Sequence, residues 1–192
     1  MREVITSPLV GIFVGGASAR MGGAPKGLLP APDGEGSLVT RLAGIARSCG
    51  LDVVLVGAHP AYAALGLETI PDAAPDVGPL GGLVALLAHA GARPGIALAC
   101  DLPFVDGALL RRLVDEAPAA LALAPRRDGR WEPLAARYDA ARVLPTARRR
   151  LAAGALGLQG LLDELGAEAM TVRDAGLLDD WDRPEDVTRR TR

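Results

Sequence analysis

The sequence predicts one α/β domain, a mostly parallel sheet with helices on both faces, and three observations predict it. Short apolar runs alternate with stretches of helical spacing; several of those runs end on glycine or an acidic residue; and 192 residues, 49% of them hydrophobic, supply one full-sized core and too little for two. The whole chain, residues 1–192, is therefore read as a single domain.

Residues 9–14 form an apolar run that ends at Gly15-Gly16, the pattern of a buried strand entering a glycine-rich turn. A helix is expected over residues 37–49, where Leu38, Leu42, Ile45 and Ala46 recur at helical spacing and Gly50 stops it. Residues 52–56 read as a second buried strand ahead of Gly57, and residues 68–70 as a shorter one. Further strands are expected at 95–99 and 119–124, with helices over 80–90 and 106–116. This alternation favours right-handed βαβ units, hence a Rossmann-like three-layer α/β/α arrangement with ligands at the carboxyl ends of the strands. Residues 131–138 look extended and are expected to break the parallel order, while 140–151 and 158–165 look helical. Residues 31–36 are expected to form a flexible loop, and 188–192 a frayed tail.

Composition excludes several function classes. A formal net charge of −2, with both signs spread along the chain, gives no footprint for duplex nucleic acid or an anionic membrane, so small molecules are the expected partners. Cys49 and Cys100 have no CxxC or Cys/His spacing around them, which argues against a disulfide framework or structural zinc. Residues 1–8 lack a long apolar stretch followed by a small-residue cleavage site, and no later apolar run is of membrane-spanning length without interruption. A cytoplasmic protein is expected, monomeric or weakly homo-oligomeric.

The chain carries twenty arginines and one lysine, Lys26, and that lysine directly follows a glycine-rich loop. Lysine is a compact point charge that tracks a phosphate oxygen, whereas arginine is a larger planar fork. The loop reads Gly15-Gly16-Ala17-Ser18-Ala19-Arg20-Met21-Gly22-Gly23-Ala24-Pro25-Lys26. Glycines let backbone N–H groups approach a polyphosphate, and Arg20 and Lys26 neutralise it: an anion cradle. It is neither a Walker loop nor a Gly-x-Gly-x-x-Gly dinucleotide turn. Asp101 follows the apolar run 96–100, and Pro103 then stops the ladder, so a carboxylate stands at the carboxyl end of a strand, where a hard divalent cation finds an oxygen ligand. A helix cap or a solvated strand end is the alternative for Asp101, and turn formation beside Pro71 and Pro75 is the alternative for Asp72 and Asp76.

These residues resemble the molybdenum cofactor guanylyltransferases, members of the nucleotide-diphospho-sugar transferase fold group, whose opening motif is Gly-Gly-x-Ser-x-Arg-Met-Gly and then Lys. Ile70-Pro71-Asp72, Gly78-Pro79-Leu80-Gly81-Gly82, Cys100-Asp101-Leu102-Pro103-Phe104 and Glu132-Pro133-Leu134 with Tyr138 follow in family order, so the resemblance covers nearly the whole chain. It implies that GMP passes from GTP to the phosphate of molybdopterin-bound molybdenum cofactor with release of pyrophosphate. It also implies Mg²⁺ on Asp101, Arg20, Lys26 and Asp101 as catalytic residues, and nucleotide contacts at Val14, Gly15, Gly16, Lys26, Gly57, Asp72, Gly81 and Asp101. Gly57 stands where the family often has Asn, so any contact there is from backbone. Gly15-Gly16 points to GTP; an Ala-Gly opening resembles cytidylyltransferases of the same pathway. A cytidylyltransferase, a sugar-phosphate nucleotidyltransferase and a non-catalytic nucleotide-binding homologue stay open as alternatives.

One departure concerns the acceptor. Where the family often shows Asn-x-Asn-Thr-Pro-Glu, this chain has Asp180-Trp181-Asp182-Arg183-Pro184-Glu185-Asp186, with carboxylates replacing amides; Asp182 reads as a helix cap before Pro184, with a second metal ligand as the alternative. His59 and His89 lack metal-like spacing, Arg126, Arg127 and Arg130 flank an Asp128-Gly129 turn, and Arg148 to Arg150 read as a charged helix face. Trp131 and Trp181 read as lids or core plugs.

Overall fold

The first strand, β1 (Leu9–Phe13), is buried at every position, and each of its side chains goes to one of two helical layers. Leu9 and Phe13 join Val54 and Val56 under α2 (Pro79–Ala90), α4 (Ala140–Ala152) and α5 (Leu158–Glu164). Val10 and Ile12 join Leu55, Ile96 and Leu98 under α1 (Leu38–Ser48) and α3 (Gly107–Asp115). Period-two alternation on a strand with no polar residue is what a sheet covered on both faces requires. The computed structural model describes residues 7–15 and 25–181. Gly16, Arg20 and the rest of the loop up to Ala24, Asp182 and the expected tail lie outside the described residues.

The sheet runs β3 (Thr69–Ile70), β2 (Asp52–Val56), β1, β4 (Gly95–Ala99), β7 (Ala135–Tyr138), β5 (Ala122–Arg127), β6 (Arg130–Trp131), with β8 (Glu168–Met170) paired to β5. The pairs among β3, β2, β1 and β4 are parallel, β7 is antiparallel to both β4 and β5, and β8 is parallel to β5. The chain thus steps outward from β1 to β3 and returns on the other side of β1 as β4. That reversal is the topological switch point where α/β sheets bind ligands.

Helix ends follow their sequence signals. Ser37 caps α1 in a reciprocal box with Thr40, Asp106 caps α3, and Asp139 caps α4. Three expectations shift. The strand expected at 119–124 begins at Ala122, because a turn in which the Ala120 amide donates to the Ala117 carbonyl uses up its first residues. The extended stretch 131–138 is two strands, since Pro133 has no amide for a ladder and the Ala135 amide closes a turn onto Glu132. The loop at 31–36 is closed by a bridge between Pro30 and Ser37. Strand β8 carries no signal in the sequence: its three residues, two of them exposed, are too few for a period to register. Trp131 and Trp181 are both buried, 7% and 4% exposed, so both plug the structure. Among the described residues no helix is long and apolar enough to cross a membrane.

Tyr138 is fully buried, and its hydroxyl donates to the Pro133 carbonyl at 2.8 Å, tying the Glu132-Pro133-Leu134 turn to β7. Burial raises its phenol well above the usual range, so it remains a donor. Tyr138→Phe keeps the ring but leaves the half-buried Pro133 carbonyl without its donor. It is expected to lower the unfolding free energy by about 1–2 kcal/mol at unchanged m-value, as measured by urea denaturation.

Candidate active site

β1 and β4 are in register through Phe13 and Ala99, and the Cys100 amide continues the ladder onto the Phe13 carbonyl at 3.2 Å. Val14-Gly15 and Cys100-Asp101 therefore leave the sheet side by side. On the other flank the Val14 amide donates to Val56 at 2.9 Å, and the Gly57 amide to Ile70 at 2.9 Å, which brings the exit of β3 toward Asp72. Together these ends open a cavity of about 620 Å³, within the roughly 300–1,000 Å³ of small-ligand pockets. Val14, Gly15, Lys26, Asp72 and Asp101 line it; Asp76 does too, while Gly57 and Gly81 stand outside its lining.

Lys26 and Asp101, 75 residues apart, meet there: the Lys26 Nζ donates to Asp101 Oδ2 at 3.0 Å, with side chains 18% and 19% exposed. Lys26 reaches the cavity because residues 26–28 form a 3-10 turn behind Pro25, whose first residue is the lysine. Asp101 is fixed from behind, since the Trp181 amide donates to its carbonyl at 3.0 Å and the Trp181 ring packs edge-on against Phe104. Among the described residues no three His, Cys, Asp or Glu side chains converge on one point. A single strand-end carboxylate in a nucleotide-sized cavity fits Mg²⁺ as that ion is held beside phosphates, by one or two carboxylates plus ligand oxygens.

Asp72 sits on the far side of the cavity, close to Gly15 and to the first turn of α2. A Cβ on Gly82 would stand 2.9 Å from Asp72 Oδ1, and one on Gly15 would lie 3.6 Å from Oδ2. Desolvation by the cavity walls raises its carboxyl above the ordinary aspartate value, although the residue retains solvent. The Gly81 carbonyl accepts from the Ala73 amide at 3.2 Å, holding the Asp72 loop to α2, so Gly81 acts here on the chain and not as a cavity wall. Gly57 has φ 100°, and a Cβ there would fall 2.9 Å from the Gly15 amide. Only glycine lets the exits of β1 and β2 lie so close.

Beside the cavity, Glu132 pairs with Arg127 at 3.0 Å, and Arg127 also holds Asp179 at 3.3 Å and the Leu178 carbonyl at 3.2 Å. Burial raises the Glu132 carboxyl despite that guanidinium. Arg149 and Arg150 both pair with Glu164, joining α4 to α5. His59 caps the 3-10 turn Pro60–Leu65, and His89 faces Glu68 at 3.3 Å; neither lines the cavity.

Tyr62 and Cys100 line the cavity without having been singled out for it. Tyr62 sits in a stretch with no periodicity, and only the fold brings it to Gly27, so no local signal marks it. Burial, then the neighbouring Asp101 charge, pushes the Cys100 thiol up to about 12, which keeps it protonated near neutral pH.

A MobA-like NTP transferase domain model matches residues 10–169. A molybdenum cofactor guanylyltransferase of Pseudomonas putida (strain GB-1) is 34% identical over 168 residues, covering 85% of this chain and 86% of that protein. One from Pseudomonas entomophila is 36% identical over 163 residues, 81% of each. A probable molybdenum cofactor guanylyltransferase of Pelotomaculum thermopropionicum is 32% identical over 129 residues, 67% of this chain, which spans 62% of that relative's length. Among solved structures, the molybdopterin-guanine dinucleotide biosynthesis protein A of Archaeoglobus fulgidus superposes with a TM-score of 0.77 at 24% identity, covering 94% of this chain and 95% of that one. At that identity the likeness is one of fold.

The ion pair makes a stability prediction. Removing one partner leaves a poorly solvated charge, so Lys26→Met should cost about 1–2 kcal/mol, less than a fully buried pair. Adding Asp101→Asn should recover part of that. A double-mutant cycle by urea unfolding checks it, and simple additivity would show that the two side chains are not coupled.

Proposed function

The chain belongs to the MobA-like NTP transferase family and is a nucleotidyltransferase of that family; we propose that it transfers GMP from GTP to the terminal phosphate of molybdopterin-bound molybdenum cofactor, releasing pyrophosphate. The observation that carries the reading is the meeting of Lys26 and Asp101 at the mouth of a nucleotide-sized cavity, at the sheet's switch point. The guanylyl donor and the molybdenum cofactor acceptor are supported by relatives at 34% and 36% identity over four fifths of the chain or more.

On this reading an oxygen of the acceptor phosphate bonds to the α-phosphorus of GTP as the bond from that phosphorus to the α–β bridging oxygen breaks, and pyrophosphate leaves in line. The attacking phosphate is already anionic near neutral pH, its second pKa being about 6, so no general base is needed. Alignment of two anions and neutralisation of charge are the work required. Lys26 moves its ammonium from Asp101 to a phosphate oxygen; Arg20 and the Gly15 and Gly16 amides complete the cradle. Val14 borders the nucleoside, with Asp72 as its carboxylate contact; Gly57 and Gly81, outside the lining, act through the backbone, Gly57 by letting the exits of β1 and β2 close up and Gly81 by holding the Asp72 loop to α2. Asp101 would hold Mg²⁺, which when bound neutralises the triphosphate and the departing pyrophosphate. Cys100 and Tyr62, both protonated, take no part as nucleophile or base.

GTP with Mg²⁺ should raise the melting temperature of the purified protein more than CTP, ATP or UTP does. With acceptor present, pyrophosphate release should fall by orders of magnitude in Lys26→Ala and in Asp101→Ala. Near-normal turnover in either variant would contradict the assigned roles. GTP binding without pyrophosphate release by the unaltered protein would mark a nucleotide-binding homologue that lacks transfer.

A further inference from the structure

Tyr62 is 3% exposed, lines the cavity, and takes no part in the chemistry proposed above. Its position is set by the 3-10 turn Pro60–Leu65, which His59 caps through Nδ1 and packs edge-on against the ring at 5.6 Å. The Tyr62 hydroxyl accepts a hydrogen bond from the Gly27 amide at 3.2 Å, across 35 residues. Gly27 is the residue after Lys26 and lies in the same 3-10 turn. The approach is tight: a Cβ on Gly27 would stand 2.5 Å from Val39 Cγ2 and 2.9 Å from the Tyr62 hydroxyl oxygen. Helix α1 on one side and the tyrosine on the other therefore grip the backbone that presents the lysine.

We propose that Tyr62 is a positioning residue for polyphosphate binding: its hydroxyl holds the Gly27 amide, and so fixes the turn from which Lys26 extends toward the cavity. Two features single out the hydroxyl over the ring. The amide it accepts from is buried, and a buried N–H without an acceptor is costly enough to rearrange the turn. The Lys26 side chain is flexible, so the direction of its ammonium depends on where the turn places its Cα. The phenol stays un-ionised at working pH, because burial first, and the nearby acidic groups next, push it up to about 12. The hydroxyl therefore keeps its neutral, hydrogen-bonding form while the cavity fills and empties.

The inference rests on the reading that Lys26 binds the triphosphate, and its test separates the two. Dissociation constants for GTP with Mg²⁺ are measured by calorimetry for the unaltered protein, Tyr62→Phe, Lys26→Met and the double variant. Tyr62→Phe should weaken binding about five- to tenfold, as expected for one hydrogen bond. In the Lys26→Met background the same change should cost less than twofold, because the hydroxyl acts through the lysine. An equal loss in both backgrounds, or none in either, would overturn the role of Tyr62 while leaving the triphosphate site standing. If the unaltered protein fails to bind GTP, the functional reading falls and this inference with it. Amide hydrogen exchange gives a readout without ligand: the Gly27 amide should be protected in the unaltered protein and exchange at least tenfold faster in Tyr62→Phe, and equal rates would contradict the proposal.

Discussion

The parallel register of β1 against β4 is the constraint on which the rest of the molecule depends. Phe13 opposite Ala99 means that both strands end at one level, so the chain on either side leaves the sheet at the same edge. Shifting either strand by one residue would exchange its two faces and break both helical layers at once, because every residue of β1 is buried. The core thus fixes the register, and the register fixes the site. Residues far apart in sequence meet at that edge with little freedom left to search for one another.

The charges at the edge are held in balance. Lys26 and Asp101 each retain about a fifth of their side-chain exposure, so solvent screens their attraction only in part. Their contact at 3.0 Å joins the ammonium to one oxygen of the carboxylate. On the proposed reading, a triphosphate takes over the ammonium and frees the carboxylate for a cation, so one ligand replaces both halves of an existing interaction. The surrounding backbone is fastened on each side, by the Tyr62 hydroxyl to Gly27 and by the Trp181 amide to the Asp101 carbonyl. Such fastening limits reorganisation when charge redistributes, as electrostatic catalysis requires.

Much of this was legible in the sequence because the core strands are short, apolar and punctuated. β2 and β4 fall at 52–56 and 95–99 as their composition and flanking glycines indicate, and α2 begins at Pro79, one residue ahead of the expected 80–90. The lone lysine and the strand-end aspartate could be singled out from residue type and position alone, and the structure brings them to 3.0 Å. What stayed hidden is what depends on distance along the chain. Strand β8 is too short to carry a period, Pro133 divides a stretch that reads as continuous, and Tyr62 gains its meaning only from Gly27 across the fold. The acidic segment around Asp180 reads in sequence as a change at the acceptor side. In the structure its neighbour Trp181 is a brace behind Asp101, and Asp179 is bound to Arg127.

The proposed chemistry requires a polyphosphate to lie between Lys26 and Asp101. A crystal structure of the protein with Mg²⁺ and a GTP analogue bearing a non-cleavable α–β bridge tests it most directly. The expected result is the Lys26 ammonium within hydrogen-bonding distance of a phosphate oxygen, displaced from Asp101, with an Asp101 oxygen on the cation. A triphosphate bound elsewhere, with the Lys26–Asp101 pair still closed, would contradict it.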